Sequence, residues 1–165
     1  MGVHRYCPNA MLHGDTGWLT DKYRRQISII RFWNRLIKMP NERLVKQVFL
    51  WDYGKAYKNW ANDTLKIFSG IDLRNIYDQK QICSLELVYE KLKVKCEEEW
   101  KHLVHNKVKL RTYMKFKTNY ETEEYLSSYL TKYQRSLLSQ LRAGILPLRI
   151  ETGRFHSKNK KCQKN

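Results

Sequence analysis

The chain has 165 residues, and its 42% hydrophobic content with five Trp supplies enough apolar surface for a packed core, which excludes wholesale disorder. Lys and Arg number 32 against 16 Asp and Glu, a net charge of +16 that points to a polyanionic partner, nucleic acid first and an acidic membrane surface second. No apolar run approaches the roughly 20 residues needed to span a bilayer, and Met1-Gly2-Val3-His4-Arg5 lacks the apolar centre of a signal peptide.

Cys7, Cys83, Cys96 and Cys162 are scattered and form no Cys-x-x-Cys pair, so free thiols and an intracellular setting are expected, with nothing to choose nucleus over cytoplasm. In residues 1–20 Pro8-Asn9 and Gly14-Asp15-Thr16-Gly17 predict successive turns anchored by Trp18. His4, Cys7 and His13 lack a fourth ligand nearby, so no metal is expected.

From about Thr20 to Lys38 the spacing predicts an amphipathic helix. Arg24, Ser28, Arg31, Arg35 and Lys38 stack into one narrow basic stripe, and Tyr23, Ile27, Ile30, Trp33 and Leu36 belong to a wide apolar arc. The stripe suits a row of phosphate contacts; a solvated face is the ordinary alternative. Met39-Pro40 breaks this helix, and Asn41 is placed to cap a second one reaching Asp52, with Leu44, Val48 and Trp51 on one face. Asn59 caps a third, which ends at Gly70, and residues 72–81 read as a polar connection.

The longest helix is predicted over 85–105 behind Ser84, with Leu85, Val88, Leu92, Cys96, Trp100 and Leu103 recurring at three- and four-residue steps. Lys109 to Lys117 is ambiguous. As a strand it sets Lys109, Arg111, Tyr113, Lys115 and Lys117 on one side; in either form, basic and aromatic residues interleave as contacts to phosphates and unpaired bases require. The competing role for Tyr113 and Phe116 is as core anchors. A helix over 120–132 should turn Tyr125, Leu126 and Tyr129 inward.

The last predicted helix carries Leu137, Leu138 and Leu141 on one face for docking, stops at Gly144 and gives way to an extended Leu146-Pro147-Leu148. Arg142 and Arg154 are expected to border the same phosphate-gripping surface as the basic stripe and the Lys109–Lys117 segment. The tail from 154 to 165 has no acidic residue and little apolar content and is expected to be disordered, its Lys158–Lys164 run forming only a weak nuclear signal. The fold class is therefore all-α: an irregular bundle of about six helices over residues 20–153, between a turn-rich lead-in and a basic tail.

Several of these short runs resemble one family. Gly2-Val3-His4-Arg5-Tyr6-Cys7-Pro8-Asn9 followed by Gly14-Asp15-Thr16-Gly17-Trp18 is similar to the region just after the polymerase domain in animal non-LTR retrotransposon reverse transcriptases. So are Phe32-Trp33-Asn34-Arg35-Leu36, Val48-Phe49-Leu50-Trp51-Asp52 and Lys109-Leu110-Arg111-Thr112-Tyr113. The best match is Leu141-Arg142-Ala143-Gly144-Ile145-Leu146-Pro147-Leu148 with Glu151-Thr152-Gly153-Arg154. The resemblance runs from residue 2 to about 156. It implies a helical region beyond the thumb that helps hold template RNA and target DNA beside the polymerase.

The family often continues into a Cys-x-x-Cys…His…Cys zinc knuckle, where this chain has Cys162 alone. With Met1 standing where the polymerase would run on upstream, a truncated copy or remnant is expected. Polymerase chemistry needs carboxylates around two metals, and no Asp-Asp pair occurs; nor does a phosphate-cradling Gly-rich loop or a Gly-x-Ser-x-Gly turn. A non-catalytic role without cofactor is expected, with nucleic acid and the polymerase portion of the same element as partners. The rival expectations are a fragment whose 23–37 apolar arc and 146–150 segment pack on that polymerase, a helix-turn-helix around Met39-Pro40-Asn41, or a decayed remnant without function.

Overall fold

The computed structural model describes residues 7–55 and 57–144. Among these, every regular element is helical: α1 (Asn9–Thr16), α2 (Asp21–Lys38), α3 (Leu44–Asp52), α4 (Trp60–Gly70), α5 (Arg74–Asp78), α6 (Leu85–His105), α7 (Arg111–Met114), α8 (Glu124–Ser127) and α9 (Lys132–Ala143). A 3-10 turn, Val108–Leu110, leads into α7. The chain divides into two compact units: residues 19–96 form one, and residues up to Trp18 with those from Glu97 onward form the other. Helix α6 starts in the first and ends in the second.

The 19–96 unit is built around Trp33 of α2. The indole is fully buried, stacked on Tyr77 with 5.0 Å between ring centroids and edge-on to Phe49 and Phe68. Aromatic pairs of this kind add roughly 0.5–1.5 kcal/mol each beyond the area they bury. The Trp33 N–H donates to the Gln81 carbonyl at 2.9 Å. Asn34 beside it donates to the Cys83 carbonyl at 2.7 Å and accepts from the Cys83 amide at 2.8 Å. These bonds satisfy backbone groups of a segment with no helical partners of its own.

Because Tyr77 must reach Trp33, the polar connection over 72–81 is not irregular: it contains α5. Burial, with Tyr53 and Asp78 beside it, pushes the Tyr77 phenol up to about 12. Helix α3 begins at Leu44 with no side-chain cap, so Asn41 does not act as one, whereas Asn59 caps α4 as expected, accepting from Asn62 N–H at 2.8 Å. Lys46 is buried on α3 and donates to the carbonyls of Leu36 (2.8 Å) and Ile37 (3.3 Å). A cation against the last carbonyls of α2 neutralises the negative end of that helix.

In the second unit the expected turns of the lead-in are instead helix α1. Its turn-forming residues serve helix packing: a Cβ on Gly14 would lie 2.4 Å from the Tyr113 hydroxyl and 2.6 Å from Trp100 Nε1. Gly17, at φ 62°, ends the helix in the left-handed conformation that a side chain would disfavour. Trp100 donates to the Ala10 carbonyl at 2.8 Å, which pins α6 to α1.

Asp15 is the buried centre of this unit. It accepts from Tyr113 (2.9 Å), Tyr125 (2.6 Å) and Arg142 (3.2 Å). Arg142 also donates to Glu123 at 2.8 Å, and Glu123 accepts from buried Lys117 at 2.5 Å. Burial pushes the Asp15 carboxyl above its ordinary value against the pull of Tyr125, Arg142 and Tyr113. At Glu123 burial also acts upward, but the hydrogen bonds and charges of Lys117 and Arg142 outweigh it and hold the carboxyl below its usual range.

Three further expectations are resolved. Of the two forms left open for Lys109 to Lys117 the helical one is found, as the 3-10 turn and α7 up to Met114, with Leu110 and Tyr113 buried. The helix expected over 120–132 shrinks to the single turn α8, and Tyr129 is fully exposed. The reason is Thr131, which caps α9 through a reciprocal capping box with Gln134 and so fixes a helix start at Lys132. Finally, the leucine face of α9 is only partly covered, with Leu138 half-buried. Leu137 and Leu141 are exposed while Ser139 and Ala143 are buried, because small residues let the helix approach closely enough for Arg142 to reach Asp15 and Glu123.

Asp15→Asn keeps one oxygen acceptor but puts an amide donor in place of the other and removes the charge that faces Arg142, so it should lower unfolding stability by about 2–4 kcal/mol in urea melts. The pH dependence has a definite sign. Since the folded value of Glu123 is depressed, its stabilisation is complete above its unfolded value of 4.5 and is lost as pH falls through the folded value. Urea midpoints should therefore fall less steeply below about pH 5 in Glu123→Gln than in the parent; an equal slope would remove Glu123 from this role.

Candidate nucleic-acid interface

The α2 stripe is built by helix geometry alone. Arg24, Arg31, Arg35 and Lys38 are all exposed, on the side of α2 away from buried Tyr23, Ile30, Trp33 and Leu36. At 1.5 Å rise per residue the row extends roughly 21 Å from Arg24 to Lys38. Between its members Ser28 turns back to the Arg24 carbonyl at 3.2 Å and adds no charge. One carboxylate belongs to the row's beginning: Asp21 lies 3.7 Å from Arg24, both side chains largely in solvent. Such a pair is worth little and is screened by salt. Exposed Arg25 joins the same end of the helix; its position a hundred degrees from Arg24 kept it out of the stripe read from sequence.

The Lys109–Lys117 segment belongs to the other unit and is split by the fold. Arg111 and Lys115 are exposed, as is Phe116. Tyr113 is fully buried, with its hydroxyl on Asp15 and burial raising its phenol far above the ordinary value. Lys117 is buried too, bonded to Glu123 and to the Glu121 carbonyl at 2.6 Å. Lys109 stands in the 3-10 turn, its side chain outside those described, and Arg154 lies outside the described residues, as do the 146–150 segment and the tail.

Arg142 is corrected as a phosphate contact. Its side chain is only 14% exposed and is shared between Asp15 and Glu123, so its charge is already neutralised. Tyr113 and Lys117 are likewise committed to the interior. What sequence reasoning could not see is that Asp15, Glu123 and Tyr125, more than a hundred positions apart at the extremes, would meet these three; the Thr131-x-x-Gln134 capping box was the one local signal available.

The helix-turn-helix expectation finds little support at α3: that helix has nine residues, and its exposed side chains are Leu44, Val45, Val48, Leu50 and Trp51, with Gln47 the one exposed polar group on it. The apolar arc of α2, expected to need a missing partner, is largely buried within the unit itself; the uncovered apolar face is on α3 instead. Among the described residues no three His, Cys, Asp or Glu side chains gather as a metal site requires, and no helix is long and apolar enough to cross a membrane.

Comparison of the chain with protein-family models, curated proteins and solved structures finds no match. The functional reading therefore stands on residues and geometry.

Burial predicts opposite responses in two arginines. Arg142→Gln removes the cation that Asp15 and Glu123 share, leaving Asp15 with neutral donors alone, and should cost roughly 3–5 kcal/mol of stability. Arg35→Gln, on the solvent side of α2, should stay within about 0.5 kcal/mol of the parent in the same denaturant titration.

Proposed function

We propose that this chain is a non-catalytic nucleic-acid-binding module, related to the region beyond the polymerase of retrotransposon reverse transcriptases, that grips the phosphates of template RNA or target DNA. The observation that carries this reading is the exposed single-sign row Arg24, Arg31, Arg35 and Lys38 on a helix whose opposite face is locked by Trp33. A row of three guanidinium groups and one ammonium on a formed helix offers donors to phosphate oxygens without an ordering cost for the backbone. The twofold excess of basic over acidic residues adds long-range attraction that speeds encounter. Arg111 and Lys115, exposed beside Phe116, form a second basic patch on the other unit.

The retroelement ancestry is supported by the motif order described above, and three of those motifs meet in one network. Asp15 comes from the first, Tyr113 from the Lys-Leu-Arg-Thr-Tyr run and Arg142 from the last. The polymerase portion of such an element is the natural protein neighbour.

Binding to single-stranded RNA, single-stranded DNA and duplex DNA should be followed by fluorescence anisotropy over a salt series. Removing one phosphate-binding charge should lower the log–log salt slope by about 0.7–0.9, so Arg31→Glu/Arg35→Glu should flatten it by nearly two such steps. An unchanged slope and affinity would remove α2 as the interface.

A further inference from the structure

Helices α2, α3 and α4 enclose an apolar groove of about 150 Å³, walled by Phe32 and Leu36 of α2, Val45 and Val48 of α3, and Trp60 of α4. Phe32 and Trp60 meet edge-on at 5.4 Å, and Phe49 packs against Trp60 at 6.1 Å. Beyond the groove α3 leaves Leu44 73% and Trp51 66% exposed. A nine-residue helix with five large apolar side chains exposed is a surface that normally has a partner.

The groove and the basic stripe share one helix. Arg31 precedes Phe32 and Arg35 precedes Leu36, so at a hundred degrees per residue the stripe runs beside the groove on the α2 surface. We propose that this groove is the docking site for an acidic amphipathic helix of a partner protein, its apolar residues in the groove and its flanking carboxylates on Arg31 and Arg35.

Three observations favour that occupant. The walls are aliphatic and aromatic side chains, and the single polar residue among them is Asp52, a carboxylate engaged by the Tyr57 hydroxyl. Such a lining holds no cation to receive a phosphate, and its one carboxylate would repel it. A second copy of this chain would bring its own +16 and its own arginine stripe against the first, which works against self-association. A helix with apolar anchors at i, i+3 or i+4 and i+7, and acidic residues to one side, satisfies both the groove and the stripe. Since the carboxylates would occupy Arg31 and Arg35, this partner and nucleic acid would compete for α2.

The probe is a displayed library of helical peptides, free to vary at every surface position, selected on the full chain. Recovered peptides should carry the apolar spacing and an excess of Asp and Glu. Their affinity should fall about tenfold or more in Val48→Lys, which blocks the groove while adding positive charge, and also in Arg31→Ala/Arg35→Ala. Single-stranded RNA binding should be unchanged by Val48→Lys and reduced by the arginine pair. Val48 is half exposed, so its variant should keep the parent's far-ultraviolet circular dichroism; Val45→Lys serves if it does not. The proposal is overturned if no helical binder emerges, if binders lack acidic excess, or if they ignore the groove variants. Loss of RNA binding in Val48→Lys would also overturn it and assign the groove to nucleic acid. If peptides bind as expected and RNA does not, the nucleic-acid reading fails and the docking site stands.

Discussion

One guanidinium held out of water sets the terms for the unit formed by the two ends of the chain. Arg142 cannot lose its proton, so its burial is tolerable only if carboxylates accompany it. Asp15 and Glu123 do so, and both need further donors, which Tyr113, Tyr125 and Lys117 supply. Each demand fixes another element: Asp15 orients α1, Tyr113 orients α7, Tyr125 orients α8, and Arg142 sets how closely α9 approaches. Gly14 follows from the same constraint, because the Tyr113 hydroxyl and Trp100 occupy the space where a Cβ would stand.

The basic residues of this chain therefore have two fates. Arg142 and Lys117 are neutralised inside, and Lys46 is buried against helix-end carbonyls. Arg24, Arg31, Arg35 and Lys38 are left outside, on a helix held by an aromatic cluster rather than by ion pairs. A basic composition draws a polyanion only through the second group. Counting charges without asking which are already compensated would have overstated the interface by three residues, Tyr113 included.

The apolar residues divide in the same way. On α2 the arc read from sequence is the buried one, since Trp33 finds Tyr77, Phe49 and Phe68 around it. On α3 the face of Leu44, Val48 and Trp51 remains exposed, and on α9 so do Leu137 and Leu141, which the pattern assigned to docking. In α6 the four-residue rhythm Val88, Leu92, Cys96, Trp100 was legible and continues to Val104, so Leu103 falls outside it. Buried Lys46 and Ser139 broke the pattern that a periodicity search expects.

The amino-acid sequence by itself determined the all-α class, most helix bounds in the middle of the chain, the cap at Asn59, the left-handed stop at Gly144 and the single-sign stripe on α2. These are local: hydrogen bonds four residues apart dictate which side chains share a face, and caps act within one turn. Only the tertiary structure decided which face is buried, that the chain forms two units, and that Asp15, Tyr113, Glu123 and Arg142 meet. Those outcomes depend on contacts across a hundred residues and on whether small side chains such as Ser139 and Ala143 allow helices close enough for a buried charge to find its partners.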